Sequence, residues 1–180
     1  MKNFFLIILA GLSLVASCDK SKDNIKLGDL PGISETGANT FGCMINGKGY
    51  IPQTHLGSYI LPLEAAYFGE YNGSRNWSIS IGTIDDNHIP NVSFHFIIDS
   101  AGMRTGSMVV LHSDTAGHLS SAVLDKFGIY KIISPQFGQL QILKYDVPGK
   151  ILAGTFSFTA VDTTGNKAVI TDGRFDVKLQ

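Results

Sequence analysis

The sequence predicts an all-β fold, an antiparallel β-sandwich of Ig-like or similar type with an open, lipocalin-like β-barrel as the alternative, and three observations predict it. Apolar residues recur at every second position beyond Thr40, Asn-Gly and Asp-Gly pairs punctuate the alternating runs, and no stretch shows convincing helical spacing. Composition points the same way: Gly stands at 20, while Glu, a good helix former, occurs only as Glu35, Glu64 and Glu70. With 44% hydrophobic and 16% charged residues, the chain falls among folded globular domains rather than disordered ones. The stretch 41–180 is long enough to bury roughly two-thirds of its extended-chain surface without a metal or disulfide. A net charge of −1 gives no basic footprint, which excludes nucleic acid as an expected partner.

From the N-terminus, Lys2 precedes an apolar run from Phe4 to Leu9 that continues through small and apolar residues to Ala16. This is the pattern of a secretory signal over 1–17, shorter than the run of about 20 residues that a spanning helix needs. Leu14-Val15-Ala16-Ser17-Cys18 resembles the bacterial lipobox. The resemblance implies that the Cys18 thiol receives a diacylglyceryl group, that the leader is cleaved before it, and that the new amine is acylated. Each buried methylene contributes about 0.8 kcal/mol, so two or three acyl chains on one residue make a durable membrane anchor. An ordinary signal peptide with an incidental cysteine is the alternative.

Residues 18–40 then read as the lipidated cysteine and a flexible tether, because Asp19 to Thr40 mixes Lys, Asp, Gly, Ser and Pro without apolar periodicity. Residues 41–180 read as one β domain. With Cys18 lipidated, Cys43 stands alone and has no disulfide partner; its place between Phe41 and Ile45 on an alternating face makes it a buried structural thiol.

Asn46-Gly47 lies between two apolar stretches and predicts a type I′ hairpin, whose central residues both need positive φ. Asn72-Gly73 predicts a second, with Tyr71 facing Ser74, Glu70 facing Arg75 and Phe68 facing Trp77. Val92, Phe94, Phe96 and Ile98 form one alternating face with Ser93, His95 and Ile97 on the reverse. Met108–Leu111, Leu119–Leu124, Phe127–Ile133 and Leu140–Tyr145 are further strands with less regular alternation. Phe156, Phe158 and Ala160 alternate with polar residues, Asp162 to Asn166 turns the chain, and Phe175, Val177 and Leu179 alternate on the return. Asp172-Gly173 within that return is either a second turn or a β-bulge; a bulge is expected, since a turn would leave the following strand without its partner. Phe156, Phe158, Phe175, Val177 and Trp77 are the expected core.

The stretches LPGISETGANTFGCMINGKGYIP (30–52) and ILAGTFSFTAVDTTGNKAVITDGRFDVKL (151–179) resemble an uncharacterised family of Bacteroidetes lipoproteins, a domain of unknown function. The likeness lies in the Thr-Gly-Ala-Asn-Thr-Phe-Gly-Cys opening and in a Gly-Thr-Phe-Ser-Phe hairpin closing on Ile-Thr-Asp-Gly-Arg-Phe-Asp-Val, and does not extend over 53–136. It implies a compartment and a β fold. It carries no activity and no catalytic residues.

Catalytic patterns are sparse. There is no G-x-S-x-G in the mature chain, and of the carboxylates a glycosidase would need, Glu70 is matched by Arg75 and Glu64 stands alone. His112, Asp114 and His118, and separately Asp85-Asp86-Asn87-His88, offer metal donors without a zinc or calcium spacing, and His95 reads as a half-exposed sheet residue. No metal or cofactor is expected. Asp99-Ser100-Ala101, Asp114-Thr115-Ala116 and Asp162-Thr163-Thr164 resemble the Asp-Ser/Thr sequon of Bacteroidetes O-glycosylation, making Ser100, Thr115 and Thr163 candidate acceptors, although Asp before Ser or Thr is also ordinary turn chemistry. These readings lead to a non-enzymatic, lipid-anchored envelope lipoprotein: a binding, scaffolding or accessory module for a protein or glycan partner. An apolar-ligand carrier and an envelope enzyme are the alternatives. The outer membrane is the expected location, with the domain facing the periplasm or, in view of the tether's reach, outward.

Overall fold

The computed structural model describes residues 25–52, 63–71, 74–84, 90–99, 103–111, 121–125, 128–132 and 138–179. Among them the fold is all-β and antiparallel, as predicted, with one short 3₁₀ turn at Leu27–Asp29. The strands are β1 (Thr40–Ile45), β2 (Lys48–Tyr50), β3 (Leu63–Tyr71), β4 (Ser74–Ile84), β5 (Pro90–Asp99), β6 (Met108–Leu111), β7 (Ser121–Asp125), β8 (Gly128–Lys131), β9 (Gly138–Asp146), β10 (Ile151–Val161) and β11 (Lys167–Lys178). One layer runs β2-β1-β11-β10-β9-β6 and the other β8-β7-β5-β4-β3. The layers meet in one antiparallel pair, Val161 with Lys131, and in a parallel bridge between Ala65 and Leu179. So slight a seam leaves an open, folded-over sheet rather than a closed barrel. No helix of the described residues is long and apolar enough to cross a membrane.

The first hairpin forms as its sequence dictates. Asn46 and Gly47 have φ of 48° and 79°, the pair of positive values a type I′ turn requires. The second places Glu70 opposite Arg75 and Tyr71 opposite Ser74, as expected, while the Asn72-Gly73 tip lies outside the described residues. Deeper in, the pairing differs from the expectation. Tyr67, and not Phe68, faces Trp77, because the register shifts between Tyr67 and Gly69 and Phe68 is the extra residue of a bulge. The side chain of Trp77 lies outside the described part of the structure.

The decisive irregularity is in β11. Phe156 pairs with Gly173 and Phe158 with Ile170, so the return strand carries one more residue than β10 at Asp172-Gly173; β1 meets the same surplus between Gly42 and Met44. Asp172 takes the positive φ, 54°, that absorbs it. The expected bulge is therefore present, and its effect is a change of phase. Ala168 and Ile170 point inward before it, and Phe175, Val177 and Leu179 after it, at even and then odd positions. A strand with strict alternation would have exposed one of these two sets.

The interior is a stack of rings. Phe156 lies 5.5 Å from Phe41 in its own layer and 5.2 Å from Phe96 across the sandwich, and Phe158 lies 5.9 Å from Phe96. Leu140 and Ile142 of β9, Leu152 of β10 and Ile170 of β11 complete the core. Glycines make room for two of the rings. Phe175 faces Gly154 and Phe156 faces Gly173, and a Cβ on either glycine would come within 3.0 Å of the ring opposite. Each aromatic thus covers the glycine across the ladder, a pairing that replaces the missing side chain.

Phe156, Phe158, Phe175 and Val177 are buried as predicted, each at most 4% exposed. Truncating Phe158 to Ala removes a ring from the layer interface and is expected to cost about 3 to 5 kcal/mol. Denaturant titration measures this, and an unchanged midpoint at unchanged slope would refute the packing described.

Candidate functional site

Residues 25–39, read from composition as part of a flexible tether, form a strap laid on the outer surface of the first layer. The reading fails because polar and small residues here satisfy a buried carboxylate instead of solvent. The strap starts at the edge of β2, where the Gly49 N–H donates to the Ile25 carbonyl at 3.0 Å. Leu30, buried, and Pro31 then cover Gly42, where a Cβ would stand 2.8 Å from the Pro31 ring. Beyond Ile33 the chain closes around Asp176.

Asp176 alternates with Phe175 and Val177 and so points away from the core, yet it is only 1% exposed because the strap covers it. Its carboxylate accepts hydrogen bonds from Ser34 Oγ at 2.6 Å, from the Gly37 N–H at 2.7 Å, and from the N–H groups of Thr36 and Ala38 at 2.9 and 3.2 Å. Three successive N–H groups converging on one anion form a nest, and the positive φ of Gly37, 74°, bends the chain to make it. Burial alone would raise the Asp176 pKa, but these bonds outweigh it and hold the carboxyl below its ordinary value. Nearby, Arg174 ties the strap to the bulge, donating to the carbonyls of Pro31 at 3.3 Å and Asp172 at 3.1 Å. Lys178 N–H donates to Asn39 Oδ1 at 2.9 Å and closes the strap's end.

The strap covers only part of this face. Beside it runs a groove of about 320 Å³, walled by Ile33 and Arg174 on one side and Met108 of β6 on the other. Its floor is Gln139 and Gln141 of β9 and Thr155 and Ser157 of β10. Strand alternation explains the floor: Leu140 and Ile142 turn inward, so the glutamines between them turn out. Among the described residues, these four polar side chains have no hydrogen-bond partner. Ile33 and Met108 on the rim are 61% and 57% exposed, as is Val110 next along β6 at 56%. Asp172, exposed at the bulge, and Arg174 add charge at the edge, and neutral donors and acceptors flanked by these and by exposed apolar groups suit contact and hydrogen bonding. The groups with shifted pKa values lie elsewhere among the described residues.

The residues singled out from sequence do not converge on this groove. Cys43 is a free, fully buried thiol whose pKa burial raises far above its ordinary value, as its strand position implied. His95 is half-buried on the reverse of β5, opposite Ser80 and Ser121, and burial lowers its pKa below 6.5. Thr163 is exposed at the β10–β11 turn, where the neighbouring Asp162 carboxylate accepts from the N–H groups of Thr164 and Asn166 at 2.9 and 2.8 Å. Desolvation would raise the Asp162 pKa, but its hydrogen bonds to Asn166 and Thr164 together outweigh it and hold the carboxyl below its ordinary value. Cys18, Asp85 to His88, Ser100, His112, Asp114, Thr115 and His118 lie outside the described residues, and no group of three metal-donor side chains occurs within them. Sequence reasoning missed both the strap and the groove floor. The Gln-Leu-Gln-Ile alternation at 139–142 was a signal for the floor, whereas nothing local joins Asp176 to residues 34–38. Compared with known proteins, the chain matches no family model, no curated protein and no solved structure.

Replacing Asp176 with Asn keeps the shape but places an NH₂ against donors, and is expected to cost about 2 to 3 kcal/mol, since hydrogen bonds to a charged group are the strong ones. The pH dependence has a definite sign. The folded pKa lies below the ordinary 3.8, so the contribution is complete above that value and lost as pH falls through the lower folded value. The stability gap between wild type and D176N should be flat at neutral pH and shrink only in acid; a gap that grows on acidification would contradict the nest.

Proposed function

We propose that this chain is a lipid-anchored envelope lipoprotein whose β domain is a non-enzymatic binding module, with the groove over β9 and β10 as its contact surface. The observation that carries the reading is the groove floor: Gln139, Gln141, Thr155 and Ser157 present unpartnered amides and hydroxyls between exposed apolar rims. Such a surface serves recognition of a glycan or an extended protein segment, where neutral hydrogen-bonding groups fix orientation and apolar rims supply contact area. Against an apolar-ligand carrier weighs the ring stack of Phe41, Phe94, Phe96, Phe156 and Phe158, which fills the space a carrier would keep open. The membrane is reached through lipid on Cys18, in the outer membrane of a Bacteroidetes-type envelope, as the lipobox and the resemblances at 30–52 and 151–179 suggest. Docking of the strap removes most of the reach that favoured outward display, so proteolysis of intact cells is the assay that assigns the side. Thr163, exposed at its turn, is the proposed O-glycan acceptor within the described residues; Ser100 and Thr115 complete the set.

Three measurements test this reading. Cys18→Ala is expected to abolish incorporation of a labelled acyl precursor, and equal labelling of the mutant would remove the anchor. Intact mass should show sugar beyond polypeptide and lipid, reduced by Thr163→Ala; a mass of polypeptide plus lipid alone would leave the sequons as turns. Cross-linked pull-down from the native envelope should recover a partner that the Gln139→Ala, Gln141→Ala double variant loses. Recovery of the same partner by both would move the contact surface elsewhere.

A further inference from the structure

The strap does more than cover Asp176: it fixes the position of Ile25, close in the chain to Cys18. We infer that the bilayer surface is itself a partner of this domain, met by the β2 edge and the Asn46-Gly47 end of the first layer, with the β9–β10 turn held away from it. The inference rests on the lipoprotein reading of Cys18.

Ile25, where the described strap begins, is bonded to Gly49 on β2. Six residues, and so seven Cα–Cα steps, separate it from Cys18. Whatever their conformation, these span at most about 25 Å, since a fully extended chain covers 3.3–3.6 Å per residue. Lipid on Cys18 would start at the headgroups, so Ile25 stays within that distance of them. The sandwich is longer than this leash: β10 alone, with 11 residues, extends about 35 Å. Ile25 is also off-centre. Met44 pairs with Gly49 on one side and Thr171 on the other, and from Thr171 the strand β11 runs four residues back to Lys167 but seven forward to Lys178. Ile25 therefore sits nearer the hairpin end.

The chemistry of that end fits lipid headgroups. Lys26, Lys48 and Lys167 are exposed there, beside Leu27 at 49% and Val169 at 43% exposure. Val169 belongs to this end because its carbonyl accepts the Asn46 N–H at 2.9 Å. Among the described residues, two carboxylates nearby are turned onto their own backbone: Asp29 accepts from the Lys26 N–H at 2.9 Å, and Asp162 from its own turn. Lysines free to reach phosphate, with apolar side chains between them, are the features of a surface that rests on headgroups. At the other end Lys150 and Lys178 are exposed as well, beside Val147 and Asp146, so the two ends differ by distance: the row of Ile25 lies about 13 Å from the hairpin end and about 23 Å from the other, which seven chain steps reach only when nearly straight.

The test uses the full, lipidated chain in phosphatidylethanolamine and phosphatidylglycerol vesicles holding a trace of headgroup-labelled acceptor lipid. A donor dye is placed at Lys48→Cys or Val147→Cys; native Cys43 is buried and takes no label. Energy transfer should be several-fold greater from position 48 than from 147, and Lys26→Glu with Lys167→Glu should lower it at 48. Equal or reversed transfer from protein whose mass includes lipid overturns the orientation and leaves the lipoprotein reading intact. Transfer at 48 unchanged by the two glutamates overturns the headgroup contact. A mass of bare polypeptide overturns the lipoprotein reading and this inference with it.

Discussion

The single surplus residue at Asp172-Gly173 governs the rest of the molecule. β11 lies between β1 and β10, so a change of phase within it sets which side chains its neighbours meet. Before the bulge Ala168 and Ile170 face the core; after it Phe175 and Val177 do, and Arg174 and Asp176 turn to the outer face. That places Asp176 under the strap and Arg174 between strap and groove. Without the shift, the carboxylate would point into the stack of phenylalanine rings, where an unpaired charge is not tolerated.

Asp176 illustrates how a buried ion is made acceptable. Its cost is desolvation, and what offsets it is a set of N–H and O–H donors already fixed in place by the Gly37 turn and by pairing of Thr40 with Asp176 on β1. The donors gain as well, since three consecutive backbone N–H groups of a segment without regular structure would otherwise lack partners. Strap and carboxylate satisfy one another. The match of three N–H groups and a hydroxyl to one carboxylate defines the docked position of the strap.

Much of the fold could be read from local pattern. The Asn46-Gly47 hairpin, the β10–β11 turn, the bulge and the alternation of Phe156, Phe158, Phe175 and Val177 depend on neighbours two or three positions away, and the sequence encodes them directly. The misplaced pair in β3–β4 came from counting back evenly from the tip, which a bulge at Phe68 defeats. The strap escaped because its polar residues resemble a linker until their acceptor is known, and that acceptor lies 142 positions on from Ser34. The groove was hidden for a related reason: its walls come from β6, β9, β11 and the strap, and only tertiary structure brings Met108, Gln141, Arg174 and Ile33 together.

The last of the described strands is also among the most interior ones. β11 is flanked by β1, from the beginning of the domain, and by β10, and Leu179, next to the C-terminus, bridges to Ala65. Until the 12 residues of β11 are present, β1 has among the described strands no partner but the short β2, the strap lacks the Asp176 carboxylate, and Phe156 lacks the glycine it covers. Assembly is thus dominated by contacts distant in sequence, the topology associated with slow folding. Closure of the first layer therefore waits on β11, whichever of the other contacts form earlier.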